Sequence, residues 1–143
     1  MFASETLFQE LGSTDGLSQS DVWAILQDSK SFLWIGTQDG LNVFDGYQIR
    51  THYADDSGSH SLNHNYIRCL AEDHRGNIWI GTNDGVSVYN PRYDSFYSLP
   101  ALTPGSAETV FSLYADGDLL SSPRSPSNTI LIFSSSFCLS LPW

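Results

Sequence analysis

Trp34-Ile35-Gly36-Thr37-Gln38-Asp39-Gly40-Leu41 returns 45 residues later, from Trp34 to Trp79, as Trp79-Ile80-Gly81-Thr82-Asn83-Asp84-Gly85-Val86. No other feature constrains the fold as tightly, because repeats with periods of roughly 20–50 residues build solenoids, propellers or arrays. It also limits the function. Repeat proteins recognise ligands on surfaces shared between units, and a catalytic residue has no reason to recur in each unit.

The match extends beyond the signature. At the same offset Leu17 meets Leu62, Asp28 meets Asp73 and Val43 meets Val88, while Val22 meets Ile67, Ile25 meets Leu70 and Phe44 meets Tyr89. Across 17–45 against 62–90, nine of 29 positions are identical. Each unit reads as four short strands: roughly 22–27, 32–37, 41–45 and 47–53, then 66–72, 77–82, 86–90 and 95–99. These runs are rich in β-branched and aromatic residues, which suit a pleated, partly buried surface. Asp28-Ser29-Lys30-Ser31, Asp39-Gly40, Asp73-His74-Arg75-Gly76 and Asp84-Gly85 supply the turns.

The second strand of each unit carries apolar or small residues on both faces: Leu33 and Ile35 on one, Trp34 and Gly36 on the other. A strand buried on both faces fits a blade packed between blades. Gly36 and Gly81 sit inside these strands, where glycine marks the close approach of a backbone or a neighbouring indole. The expected fold class is therefore all-β, an incomplete β-propeller with two four-stranded blades plus the start of a third. No stretch sustains the 3.6-residue apolar period of a helical array.

The expected organisation follows. Phe8 aligns with Tyr53, so 5–11 reads as a fourth strand, and 1–16 completes a blade whose other strands this chain does not contain. Blade 1 spans 17–61 and blade 2 spans 62–108. Residues 109–118 hold the first strand of blade 3, since Val110–Asp116 matches Ile67–Asp73 at an offset of 43. The second strand should then bring a Trp near Ser122, and none is there. Residues 119–143 read as a divergent Ser/Pro-rich tail with eight Ser, three Pro and one charge, Arg124. The tail is either a divergent cap, as terminal repeats are often atypical, or unrelated sequence from a truncated or frame-shifted reading frame. The abrupt change inside a blade favours the second.

Composition narrows the functions. A formal net charge of −10 with six Lys plus Arg leaves no cationic footprint for nucleic acid or an anionic membrane surface. At 143 residues the chain is too short for a closed propeller of at least about four blades. Open sheet edges invite self-association. Thr129–Phe133 reads as one strand and is too short to span a membrane. Cys69 reads as a small core residue and Cys138 lies in the tail; their spacing suits no metal site, and a disulfide between them stays open. The start lacks the basic and apolar regions of a signal peptide. Two placements stay open: cytosolic, or a mature or mis-started piece of an exported protein.

Candidate chemistry is sparse, and no catalytic, cofactor or metal residue is assigned. His60 and His64 are four apart, but in a Ser/Asn loop without a third ligand. Asp55-Asp56-Ser57-Gly58 lacks the ligand order of a calcium loop. His52 and His74 read as exposed turn or strand-end residues. Asp28, Asp73, Asp39 and Asp84 recur, which points to side chains that accept turn N–H groups. Trp34 and Trp79 recur too, which points to packing between blades. Positions that differ between units are better candidates for recognition. Trp23, Arg68 and Phe111 occupy one equivalent first-strand position, and their variety points to a surface or channel role.

With these residues in hand, the chain resembles the two-component regulator propeller repeat family. The resemblance rests on Asp28-x5-Trp34-Ile-Gly-Thr-x-Asp-Gly-Leu-Asn-x-Phe-Asp-Gly-Tyr47, on Asp73-His-Arg-Gly-Asn-Ile-Trp79-Ile-Gly-Thr-x-Asp-Gly-Val and on the lead-in Asp15–Val22. It covers about residues 5–116. It implies the N-terminal, periplasmic, non-catalytic ligand-sensing region of a bacterial hybrid histidine kinase or diguanylate cyclase, here as a fragment without signalling parts. The ligand it implies is a small molecule or oligosaccharide bound by the intact parent. In the family pattern Ser31 replaces a turn Gly and Val43 a commonly basic residue. The alternatives are a fragment of a propeller-type glycan-processing enzyme or lyase, or a non-functional truncated remnant.

Overall fold

The computed structural model describes residues 10–56, 60–99, 108–116, 129–134 and 138–142. Two four-stranded antiparallel meanders follow each other. The first is β1 (Val22–Gln27), β2 (Leu33–Thr37), β3 (Gly40–Phe44) and β4 (Ile49–His52); the second is β5 (Ile67–Glu72), β6 (Ile78–Thr82), β7 (Gly85–Asn90) and β8 (Ser95–Ser98). Both have the strand order of their sequence. A third, three-stranded sheet joins β9 (Val110–Asp116), β10 (Thr129–Ser134) and β11 (Cys138–Pro142), with β10 in the middle. Both β10 and β11 come from the stretch read as a tail, and β10 pairs with β9 from Thr129↔Asp116 to Ser134↔Val110. The N-terminal strand expected at 5–11 falls largely outside the described residues. A 3-10 turn at Ser13–Asp15 precedes β1. No helix among the described residues is long and apolar enough to cross a membrane.

The sheets stack face to face. Trp34, Leu41 and Val43 of the first sheet pack against Leu62, Ile67, Ile78, Ile80 and Phe96 of the second unit. The opposite face of the second sheet carries Ala71, Trp79, Val86 and Val88, which pack against Val110, Leu113 and Ile132. Every residue of β6 is buried. This two-sided burial is what the apolar residues on both faces require, because each buried side chain removes apolar area from water.

Gly36 and Gly81 explain how closely the sheets approach. A Cβ on Gly36 would sit 2.5 Å from Ile67 Cγ2, and one on Gly81 would sit 2.8 Å from Val110 Cγ1. The neighbour that requires glycine is thus a β-branched side chain of the next first strand, joined at Gly81 by the still nearer Cys69 thiol of its own sheet, and not a backbone or an indole. Val22 is the equivalent of Ile67 in the first sheet. It is 39% exposed where Ile67 is 0%, since no preceding sheet lies against it among the described residues.

Candidate functional site

Two sets of repeated side chains hold each blade in shape. Asp28 Oδ1 accepts the Lys30 and Phe32 N–H groups, each at 2.9 Å, and Oδ2 accepts Trp34 Nε1–H at 2.8 Å. Asp73 does the same for Arg75, Asn77 and Trp79 at 2.8, 2.9 and 2.8 Å. Each aspartate closes a turn and fixes the indole that packs between blades. Thr37 Oγ1 donates to the Gly40 carbonyl at 3.0 Å and accepts the Asp39 N–H at 3.1 Å; Thr82 repeats this with Gly85 and Asp84. Asp28, Asp73, Thr37 and Thr82 are therefore committed to the fold, whereas Asp39, expected to accept a turn N–H, instead accepts Asn65 Nδ2–H at 3.1 Å across the junction between units.

The turns between second and third strands also tie consecutive units together. Gly40 N–H donates to the Asn65 carbonyl and Gly85 N–H to the Glu108 carbonyl, both at 2.7 Å. These bonds anchor the chain as it enters β5 and β9. In consequence β1, β5 and β9 occupy the same edge of their sheets and lie side by side.

On that converging edge the three first strands share an irregularity. The β1–β2 register passes from Val22↔Thr37 to Ala24↔Gly36 and skips Trp23. The β5–β6 register passes from Ile67↔Thr82 to Cys69↔Gly81 and skips Arg68. The β9–β10 register passes from Val110↔Ser134 to Ser112↔Phe133 and skips Phe111. Each skipped residue is a β-bulge, which leaves the residue outside the ladder and re-aims its side chain. The bulge lets Ile67 and Val110, and then Cys69, turn inward around a residue that points away.

Trp23, Arg68 and Phe111 are joined into one line. The Trp23 and Tyr66 rings lie 5.7 Å apart. The Arg68 guanidinium carbon lies 4.8 Å from the Tyr66 ring centre and 5.4 Å from that of Phe111. Arg68 Nε donates to Asn83 Oδ1, and Gln38 Nε2 lies 3.4 Å from the Tyr66 hydroxyl. Trp23 is 52% and Phe111 56% exposed. The sequence singled out the three bulged positions, while Tyr66, Asn83 and Gln38 escaped notice. Their signal was present, because Tyr66 stands where the first unit has Asp21 and the β9 unit has Thr109.

The other candidates fall elsewhere. Cys69 is a free thiol, pushed up to about 12 chiefly by burial, with its Sγ toward the Val110 carbonyl at 3.8 Å. His64 Nδ1 accepts the Tyr66 N–H at 3.0 Å. His74 is exposed, but His52 is not the exposed strand-end residue expected. It is half-buried, edge-on to Phe96 at 5.0 Å between ring centres and 6.3 Å from the Tyr89 ring of the second sheet. Burial and then Arg50 hold its pKa below the ordinary 6.5, while Asp94 opposes them. His52 borders a cleft between the two sheets, of about 140 Å³, with Asp28, Lys30, Arg50, Glu72 and Tyr89. That is small beside ligand pockets of roughly 300–1,000 Å³. Ser29 N–H also donates to Glu72 Oε2 there at 2.9 Å, so part of its lining joins the blades.

The sequence pattern of the two component regulator propeller matches residues 16–39 and 61–84. Histidine kinase P4 of Formosa agariphila is 42% identical over 60 residues, which are 42% of this chain and 4% of that protein. The extracellular domain of a B. thetaiotaomicron protein assigned as a hybrid two component system superimposes with a TM-score of 0.70 and 28% identity, over 87% of this chain and 17% of that one. A second extracellular domain from B. thetaiotaomicron, assigned as a one component system, gives 0.66 and 22% over 85% and 15%. The chain thus spans a small part of the proteins it matches. Repeat signature, blade topology and these likenesses agree: residues 16–39 and 61–84 are two copies of the two-component regulator propeller repeat.

Proposed function

We propose that this chain is part of the ligand-recognition propeller of a bacterial sensor protein, lying outside the cytoplasmic membrane and acting without catalysis. Its ligand is a small molecule or an oligosaccharide. One observation carries the reading: three bulges aim three different side chains, Trp23, Arg68 and Phe111, into one surface while the repeated Asp28, Asp73, Trp34 and Trp79 serve the fold. Varied side chains on a repeated backbone are how repeat proteins specify ligands. The matched extracellular domains of signalling systems support the placement.

Titration calorimetry of the 143-residue chain tests this. The probes are maltotriose, galactotriose, trigalacturonate and 2-naphthoate. At least one should bind, and Trp23→Ala with Phe111→Ala should weaken it while melting stays cooperative. Binding that ignores both substitutions, or turnover of a bound probe, would overturn the reading.

A further inference from the structure

The proposed recognition surface says more about its ligand, if that reading holds. We infer that the Trp23–Tyr66–Arg68–Phe111 line is an anion site: it takes a carboxylate- or sulfate-bearing ring compound, with the acid on Arg68 and the ring on an exposed aromatic face.

The argument begins with the donors of Arg68. A guanidinium has five N–H groups in one plane. Tyr66 and Phe111 both lie within cation–π distance of the guanidinium carbon, contacts that supply no hydrogen-bond acceptor oxygen. Nε is bound to Asn83 Oδ1. Among the described residues Arg68 has these partners and no carboxylate. The two terminal nitrogens thus keep their donors, on a group whose orientation is already set. A paired carboxylate or sulfate oxygen set fits that end of the fork, and such charge-assisted bonds are roughly twice as strong as neutral ones.

The surroundings favour the same class. Cation–π contacts at exposed sites are weak, so the rings hold Arg68 in place without replacing an ion pair. The chain has a formal net charge of −10, which repels anions in general. A single oriented cation set in that field makes the site selective for ligands that reach it and carry a face for Trp23 or Phe111. Those rings are each more than half exposed, and aromatic faces stack on both sugar and aryl rings.

Calorimetry of the full chain with trigalacturonate, galactotriose and 2-naphthoate decides it, with melting curves for each variant. Trigalacturonate or 2-naphthoate should bind at least about tenfold tighter than galactotriose, and which of the two binds identifies a sugar acid or an aryl acid. R68Q should weaken that binding about tenfold or more, R68K less, because lysine lacks the planar fork. Added salt should weaken it as well. Asn83→Ala, which frees Arg68 without removing charge, should weaken it by a smaller factor. Galactotriose binding that equals trigalacturonate, survives R68Q and falls with Trp23→Ala overturns the anion assignment and leaves the recognition reading standing. Acid binding unchanged in R68Q, with a native melting curve, overturns it too. Failure of every probe to bind the native chain overturns both.

Discussion

Ser18 and Asn42 grip each other through two hydrogen bonds: Ser18 N–H donates to Asn42 Oδ1 at 3.0 Å, and Asn42 Nδ2 donates to Ser18 Oγ at 2.9 Å. In the second unit the pair is exchanged. Asn63 N–H donates to Ser87 Oγ at 2.9 Å, and Ser87 Oγ donates to Asn63 Oδ1 at 2.8 Å. Asn42 and Ser87 are both fully buried. One amide and one hydroxyl satisfy the same junction in either order, which keeps the lead-in to the first strand fastened to β3 or β7. Asn42→Ala should destabilise by about 1–3 kcal/mol, because it strands the Ser18 N–H and the Thr51 hydroxyl that also donates to Oδ1. A double-mutant cycle with Ser18→Ala in urea should show coupling of roughly 1 kcal/mol; strict additivity would refute the link.

Ser31 sits at φ 70° in the turn where the second unit has Gly76 at φ 83°. A Cβ there costs about 1–2 kcal/mol, of which the entropy of glycine recovers about 0.5–1. Ser31→Gly should therefore raise stability by about 0.5–1 kcal/mol, and Gly76→Ser should lower it by a similar amount. Urea midpoints read both, and a loss on Ser31→Gly would contradict the account.

Gly36→Ala and Gly81→Ala should each destabilise by about 1–3 kcal/mol through overpacking, since the new methyl meets Ile67 in the first case and both Cys69 and Val110 in the second. Trimming the neighbour should help: Gly36→Ala with Ile67→Val should lose less than the two single changes added together. Thermal melts of the four proteins in the cycle measure this.

Asp73 is 5% exposed and serves three donors. Asp73→Ala should cost roughly 3 kcal/mol or more, as it leaves buried N–H groups without acceptors. Asp73→Asn, which keeps one acceptor oxygen, should lose less. Near-ultraviolet circular dichroism should report a loosened Trp79 in the alanine variant, and an unchanged spectrum with unchanged stability would count against the role.

His52 makes a pH prediction. Its folded pKa lies below the ordinary 6.5, mainly through burial. The unfolded chain thus binds this proton more readily than the folded one, and stability rises with pH through the window below 6.5. The stability is lost on acidification from about neutral pH through that window and is fully present above it. His52→Phe should flatten the slope of stability against pH there, and a slope unaltered by the substitution would assign it to other groups.

Much of this is legible in the sequence. The strands expected at 22–27, 32–37, 77–82 and 86–90 lie within a residue or so of β1, β2, β6 and β7, because a repeat supplies each pattern twice. The duties of Asp28 and Asp73 were legible for the same reason, since recurrence separates fold from function. His52 was misread because its burial comes from the neighbouring sheet, which local sequence does not encode.

The sequence by itself determined the blade: strand alternation, turn residues and the 45-residue period are local properties of the chain, and each residue carries its own share. Only the tertiary structure decided the edge that carries the proposed recognition surface. A bulge at Trp23, Arg68 or Phe111 has no composition of its own. It arises where the strand must both pair with its neighbour and press Ile67 or Val110 onto a glycine of the preceding or adjoining sheet. Meeting both demands leaves Arg68 and Phe111 over in β5 and β9, Trp23 is skipped in the same way in β1, and the stacking of the blades brings those three together.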